Sequence, residues 1–122
     1  MHAFRTAIEA GDLAAALDCL ADDVVFRSPA VYKPYEGAQD VSALLRHVFE
    51  VFSDFTYTDE LTDGNRSVLF FAARVGNRQL EGVDDLTVDD RGKIVDFRVL
   101  IRPLSGLIAL AEAMAARLAA GD

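Results

Sequence analysis

Ser67-Val68-Leu69-Phe70-Phe71-Ala72-Ala73-Arg74-Val75, then Gly76-Asn77, then Arg78-Gln79-Leu80-Glu81-Gly82-Val83-Asp84-Asp85-Leu86-Thr87-Val88, is the stretch that decides the fold. Both arms follow a period of two, and Gly76-Asn77 is short enough to close a tight hairpin. The first arm, a strand over 67–76, is apolar on both sides. Val68, Phe70 and Ala72 alternate with Leu69, Phe71, Ala73 and Val75, whereas a sheet with one wet face carries polar residues on one set. One layer of helices covers only one face, so the expected cover for the other is a second copy of the chain. That predicts a homodimer in which the outer faces of two sheets meet.

In the second arm Leu80, Gly82, Leu86 and Val88 share a face, and alternation puts Asp84 among them. Gln79, Glu81, Val83, Asp85 and Thr87 take the other face. A carboxyl group turned toward an apolar interior has its charged form disfavoured, so its pKa rises. Kept neutral, it donates a hydrogen bond to a carbonyl or oxyanion. The plainer reading is an Asp tied to backbone amides or to a tyrosine hydroxyl.

Outward from the hairpin the pattern changes. Phe4, Ala7 and Ile8 recur at helical spacing and stop at Gly11. Asp12 suits an N-cap for a second short helix carrying Leu13, Ala16, Leu17 and Leu20, ended by Asp22-Asp23. Val24–Ser28 reads as a strand closed by Pro29, and residues 29–37 as a loop. Val41, Leu44, Leu45, Val48, Phe49 and Phe52 form the clearest helical stripe. Further strands are expected at 55–62, 79–88 and 93–102, turning at Gly64-Asn65 and Asp89–Gly92. Pro103 closes the last strand. Ser105 is placed to cap a final helix with Leu104, Leu107, Ile108, Ala111, Met114 and Leu118 on one stripe. The order predicts an α+β domain, helices packed on one face of a curved antiparallel sheet.

The chain has 122 residues with 20 acids against 12 bases, a net charge of −8. That length suits one domain, 1–122. The acidic balance argues against nucleic acid and against an anionic membrane surface. No apolar run approaches the ~18 residues of a membrane span. The lone Cys19 permits no internal disulfide and fits a reducing cytoplasm. It reads as a buried structural thiol rather than a nucleophile.

Other chemistry is thinly represented. Ser28 shares a strand face with Val24 and Phe26, which makes it a pocket hydroxyl or a local turn former. Tyr32 and Tyr35 in the loop, and Tyr57 beside Phe55, are placed to shape a pocket and donate hydroxyls. His47 falls on a solvated helix flank. Arg74 and Arg102 are candidates to hold an anion at a pocket mouth. The final helix has three candidate roles: lid, part of a dimer interface, or cap on the core. No metal-ligand spacing and no nucleotide-binding loop occur, so no cofactor is expected.

Glu9-Ala10-Gly11-Asp12-Leu13, Leu20-Ala21-Asp22-Asp23-Val24-Val25-Phe26, Pro29, Glu36-Gly37, Val83-Asp84 and Arg91-Gly92-Lys93-Ile94-Val95 carry, in that order, a resemblance. The chain resembles the nuclear transport factor 2-like superfamily, in its SnoaL-like and ketosteroid-isomerase-like branch. The resemblance implies a cone: a strongly curved, mostly antiparallel sheet wrapped around N-terminal helices and one long helix, with a deep apolar pocket. It also implies homodimers that pack sheet faces. The ketosteroid isomerases' oxyanion-hole aspartic acid falls on Asp84, their general-base aspartate on Ser28 and their oxyanion-hole tyrosine on Phe4. With only Asp84 in place, steroid isomerisation by that machinery is not expected. The leading expectation is a protein that binds a small apolar molecule, with Ser28, Tyr32, Tyr57 and Asp84 as its ligand-binding residues. The alternatives are an isomerase or hydrolase using Asp84 as a neutral acid, and a non-catalytic dimerisation module.

Overall fold

Strict alternation governs the observed hairpin. In the computed structural model, which describes residues 1–120, Leu69, Phe71, Ala73 and Val75 are buried on one face together with Leu80, Asp84 and Leu86. The elements in chain order are α1 (Ala3–Glu9), α2 (Leu13–Leu17), β1 (Leu20–Arg27), β2 (Tyr35–Glu36) and α3 (Ala38–Val51). They are followed by β3 (Ser53–Asp63), β4 (Arg66–Val75), β5 (Arg78–Val88), β6 (Ile94–Arg102) and α4 (Leu104–Ala119). Six strands form one curved, unclosed sheet in the order β2-β1-β6-β5-β4-β3. Every pairing is antiparallel except β1 with β6, which is parallel. With the four helices this is the α+β cone that the sequence implied.

The turns follow local chemistry. Val75 pairs with Arg78, so Gly76-Asn77 is a two-residue loop, and Gly76 takes φ +58° where the tight turn needs a positive value. At the β5–β6 turn, Asp89 Oδ1 accepts from the backbone N–H groups of Arg91 and Lys93. Asp12 caps α2 by accepting from Ala15 N–H at 3.0 Å.

Four local expectations change. Leu20 opens β1 and pairs with Ile94 rather than extending α2. The register of β1 shifts between Leu20 and Val25, so the exposed Asp22-Asp23 pair occupies an irregular stretch of strand instead of ending a helix. Tyr35–Glu36, read as loop, adds a short edge strand. Ser105 is not the cap of α4: Pro103 holds that position, without a side-chain hydrogen bond.

The α4 stripe is also turned. Leu104 and Ile108 are exposed, while Gly106 and Leu110 are buried and Ala109, Ala113 and Met114 are half-buried. Gly106 explains the rotation. A Cβ there would lie 2.7 Å from Leu80 Cβ and 2.8 Å from Gln79 O, so only glycine lets the helix sit this close to the β4–β5 hairpin.

One apolar core joins both layers. Phe97 on β6 meets Phe4 of α1 edge-on at 5.3 Å and Phe26 of β1 at 5.1 Å. Phe4, at the position the resemblance gives to a catalytic tyrosine, is fully buried packing. Gly82 is the tightest backbone position. A Cβ there would stand 2.2 Å from Leu100 O and 2.8 Å from the Phe71 ring, so the missing side chain lets Phe71 lie flat across β5. Gly82→Ala is therefore expected to lower the urea midpoint, at unchanged m-value, by an amount equivalent to about 2 kcal/mol or more. A wild-type midpoint would contradict this packing.

Candidate functional site

The cone holds a partly open cavity of about 220 Å³. Its floor and walls come from the inner sheet face (Phe26, Phe55, Phe71, Phe97) and from α3 (Leu44, Val48, Phe49). Residues Leu110, Met114 and Leu118 of α4 border it, so this helix covers the cavity and, through Leu110, also packs on the core. Leu45 of α3 and Phe52 just after it also border this space. Among the described lining residues, only Asp84, Ser28 and Tyr35 bring oxygen-bearing side chains. A larger, open depression of about 710 Å³ lies between α2, α3 and the β5–β6 turn, lined by exposed charged groups such as Asp22, Arg46 and Arg91. It encloses no buried polar side chain; the smaller cavity does.

Asp84 occupies the centre of the inner sheet face. It pairs with Leu69 of β4 on one side and Val99 of β6 on the other, both buried. The residue is 5% exposed, and its single side-chain hydrogen-bond partner among the described residues is the Tyr57 hydroxyl, which donates to Oδ2 at 2.8 Å. Tyr57 lies on β3, two strands away, and reaches across β4 to make this bond. Burial pushes the Asp84 carboxyl up to about 7, with the Tyr57 hydrogen bond acting weakly the other way. The same burial, with the neighbouring carboxylate, drives the Tyr57 phenol far above its ordinary range. Below neutrality the pair is an acid and a phenol, both protonated.

Tyr57 is itself braced. Arg5 of α1 stands 6.0 Å from its ring centroid and pairs with Glu9 (3.1 Å) and Glu60 (3.4 Å). Glu60 also accepts from the His2 backbone N–H at 2.9 Å, while His2 Nδ1 caps α1 by accepting from Phe4 N–H. Burial lowers the His2 pKa, in keeping with a neutral acceptor.

The expected ligand residues separate into three groups. Asp84 and Ser28 both line the cavity. Ser28 combines its two readings: it faces the cavity, and its Oγ accepts from Ala30 N–H (3.0 Å) and Val31 N–H (3.3 Å). Tyr57 stands behind the wall as the partner of Asp84. Tyr32 is fully exposed and outside the lining, and Tyr35, three residues later at the start of β2, lines the cavity instead.

Other readings change as well. His47 is not on a free flank: its Nδ1 accepts from Arg117 Nε at 3.1 Å, tying α3 to α4, and Glu50 also pairs with Arg117. Arg74 pairs with Asp54 and Arg102 with Glu81, so neither reaches the cavity. Cys19 is half-buried, its Sγ directed at Ala15 O, and burial raises its pKa.

A buried acid with a raised pKa has a defined effect on stability. The unfolded chain ionises Asp84 near its ordinary value, the folded chain only near 7, so stability falls as pH rises between the two. The loss is on the order of 4 kcal/mol at ~1.4 kcal/mol per pKa unit. In Asp84→Asn this decline is expected to be absent, so that the stability of wild type relative to the variant falls as pH rises between the two values. Tyr57→Phe, which deletes the bond favouring the charged form, is expected to extend the decline to higher pH. Parallel curves for wild type and Asp84→Asn would contradict the assignment.

Comparison with known proteins agrees with this architecture. The family model described as SnoaL-like domain matches residues 1–97. No curated protein matches the chain significantly. Among solved structures, a steroid delta-isomerase from Pseudomonas aeruginosa is 50% identical, with TM-score 0.89, covering 94% of this chain and 85% of that one. A protein with a cystatin-like fold from Silicibacter pomeroyi DSS-3 is 37% identical, with TM-score 0.89, covering 96% and 86%. An NTF-2 like protein from Burkholderia xenovorans LB400 shares the fold at 22% identity and TM-score 0.70, covering 81% and 77%. The chain belongs to the SnoaL-like domain family, within the nuclear transport factor 2-like superfamily.

Proposed function

We propose that residues 1–122 act as one domain that binds a small apolar molecule in the cavity beneath α4, with Asp84 as its polar anchor. The observation that carries this reading is an aromatic-walled space of about 220 Å³ with one buried acid on its wall. An apolar cavity of this kind gives up little when water leaves it, and a single polar group orients the guest. Naphthalene is a suitable neutral probe. Titrated into the protein, it is expected to shift the NMR signals of Phe49, Phe71 and Met114, and Ala111→Phe, which fills the space, is expected to abolish the shifts. No response in the wild-type protein would overturn the reading.

A second reading has its own support, because a carboxyl titrating near 7 is well matched to proton transfer at neutral pH. The Pseudomonas aeruginosa relative is named a steroid delta-isomerase, which makes isomerase chemistry the natural comparison. Here no other carboxylate, histidine or lysine lines the described cavity, and Ser28 and Phe4 occupy the base and tyrosine positions. The binding reading therefore expects wild type to isomerise a 5-ene-3-oxosteroid no faster than Asp84→Asn. A clear rate that depends on Asp84 would favour the enzyme.

For the assembly we propose a homodimer through the outer sheet face, in a reducing cytoplasm. Phe70, Val83 and Leu100 are register partners forming an apolar row across β4, β5 and β6, and Leu100 is 56% exposed. The Glu81–Arg102 and Asp85–Arg66 pairs flank this row, so a twofold copy meets both signs of charge. Sedimentation velocity at micromolar concentration is expected to give a dimer that Val83→Lys converts to monomer. A monomeric wild type would contradict it.

A further inference from the structure

We infer that the cavity's ligand is a flat, uncharged molecule of one or two fused rings with a hydrogen-bond acceptor at its inner end, a class that leaves out both steroids and carboxylates. This rests on the binding reading above and adds size, shape and charge to it.

Size comes from the volume. A dry cavity of ~150 Å³ holds one benzene ring, and pockets for drug-sized ligands run from ~300 Å³ upward. At about 220 Å³ the space beneath α4 lies between the two, enough for a ring and a fused neighbour but not for a four-ring skeleton.

Shape comes from the walls. Phe55 stacks with Phe52 (5.5 Å, 30°) and with Phe71 (5.1 Å, 27°), while Phe52 and Phe71 are tilted 51° to each other, so Phe55 is the flat centre of a cluster of aromatic faces. Phe49 stands edge-on to Phe55 at 5.2 Å and 76°. A flat aromatic guest extends this stacked and edge-to-face arrangement, which a thick saturated skeleton does not.

Charge comes from what lines the space. No lysine, arginine or histidine is among the described lining residues. An anion entering would lose its hydration without a counter-charge and would face Asp84.

The acceptor requirement follows from Asp84 itself. Tyr57 takes Oδ2, while Oδ1 has no hydrogen-bond partner among the described residues and is not sealed within their core. The acid proton therefore belongs on Oδ1, from which it donates into the cavity. At the other end, Ser28 spends its Oγ lone pairs on Ala30 and Val31 N–H, which leaves its hydrogen for a second acceptor near the loop.

The test compares four probes by calorimetry or NMR just below neutrality: naphthalene, 2-acetylnaphthalene, 2-naphthoate and androst-4-ene-3,17-dione. The ketone is expected to bind about tenfold more tightly than naphthalene, the worth of one good hydrogen bond. The carboxylate is expected to bind more weakly than naphthalene, and the steroid not at all up to its solubility limit. Asp84→Leu is expected to erase the ketone's advantage while still binding naphthalene, which also shows that the variant folds. Should that variant fail to fold, the wild-type protein gives the same readout, since raising the pH above neutrality ionises Asp84 and removes the donor. A steroid bound as tightly as the ketone, a carboxylate matching it, or a ketone with no advantage over naphthalene would each overturn the inference. Failure of naphthalene itself would instead overturn the underlying binding reading, and the inference with it.

Discussion

A carboxyl group held off water at the centre of the inner sheet face is the constraint on which the site depends. Asp84 is surrounded by Leu69, Val99 and Leu86, and among the described residues its one side-chain hydrogen bond comes from Tyr57. An ionised carboxylate there would be stranded in an apolar medium, so the group holds its proton instead. From that follow its raised pKa, its ability to donate rather than only accept, and the need for Tyr57 to be kept in place. The bracing of Tyr57 by Arg5, Glu60 and the start of α1 connects the N-terminus of the chain to this one bond.

Two glycines shape the space around the acid. Gly82 lets Phe71 lie against the sheet next to Asp84, and Gly106 lets α4 approach the β4–β5 hairpin closely enough to cover the cone. The cover is almost wholly apolar, and Arg117 ties it to α3 through His47 and Glu50. The acidic residues take other ground. Asp22-Asp23, Asp63 and Asp90 lie at exposed turns and irregular strand, where they solvate a chain that is 52% hydrophobic. Asp84 departs from that pattern by being buried.

The parts of the molecule governed by local period were legible from sequence. The two arms of the hairpin, the α3 stripe and the inward direction of Asp84 all follow from spacings of two or of three and four residues. The plainer expectation for Asp84, a tie to a tyrosine hydroxyl, is realised. What was hidden depends on partners far away in the chain. Tyr57 meets Asp84 across an intervening strand, His47 meets Arg117 across 70 residues, and β1 joins β6 in parallel. Small residues misled in a different way. The buried face of α4 is built on Gly106, Ala109 and Ala113, so its larger exposed residues, Leu104 and Ile108, mimic a core stripe. Leu20 sits three residues after Leu17 and so continues a helical pattern by spacing alone, although its backbone belongs to the sheet.

The claim on which the rest turns is that Asp84 is a neutral acid at the cavity wall. Carboxyl ¹³C NMR of the aspartate-labelled protein, with Asp84 assigned by its loss in Asp84→Asn, measures this directly. The account predicts that the Asp84 resonance titrates near 7, well above the other aspartates. A midpoint in the ordinary range of about 4 would contradict it, because it would mean that the carboxylate is solvated and faces no apolar interior.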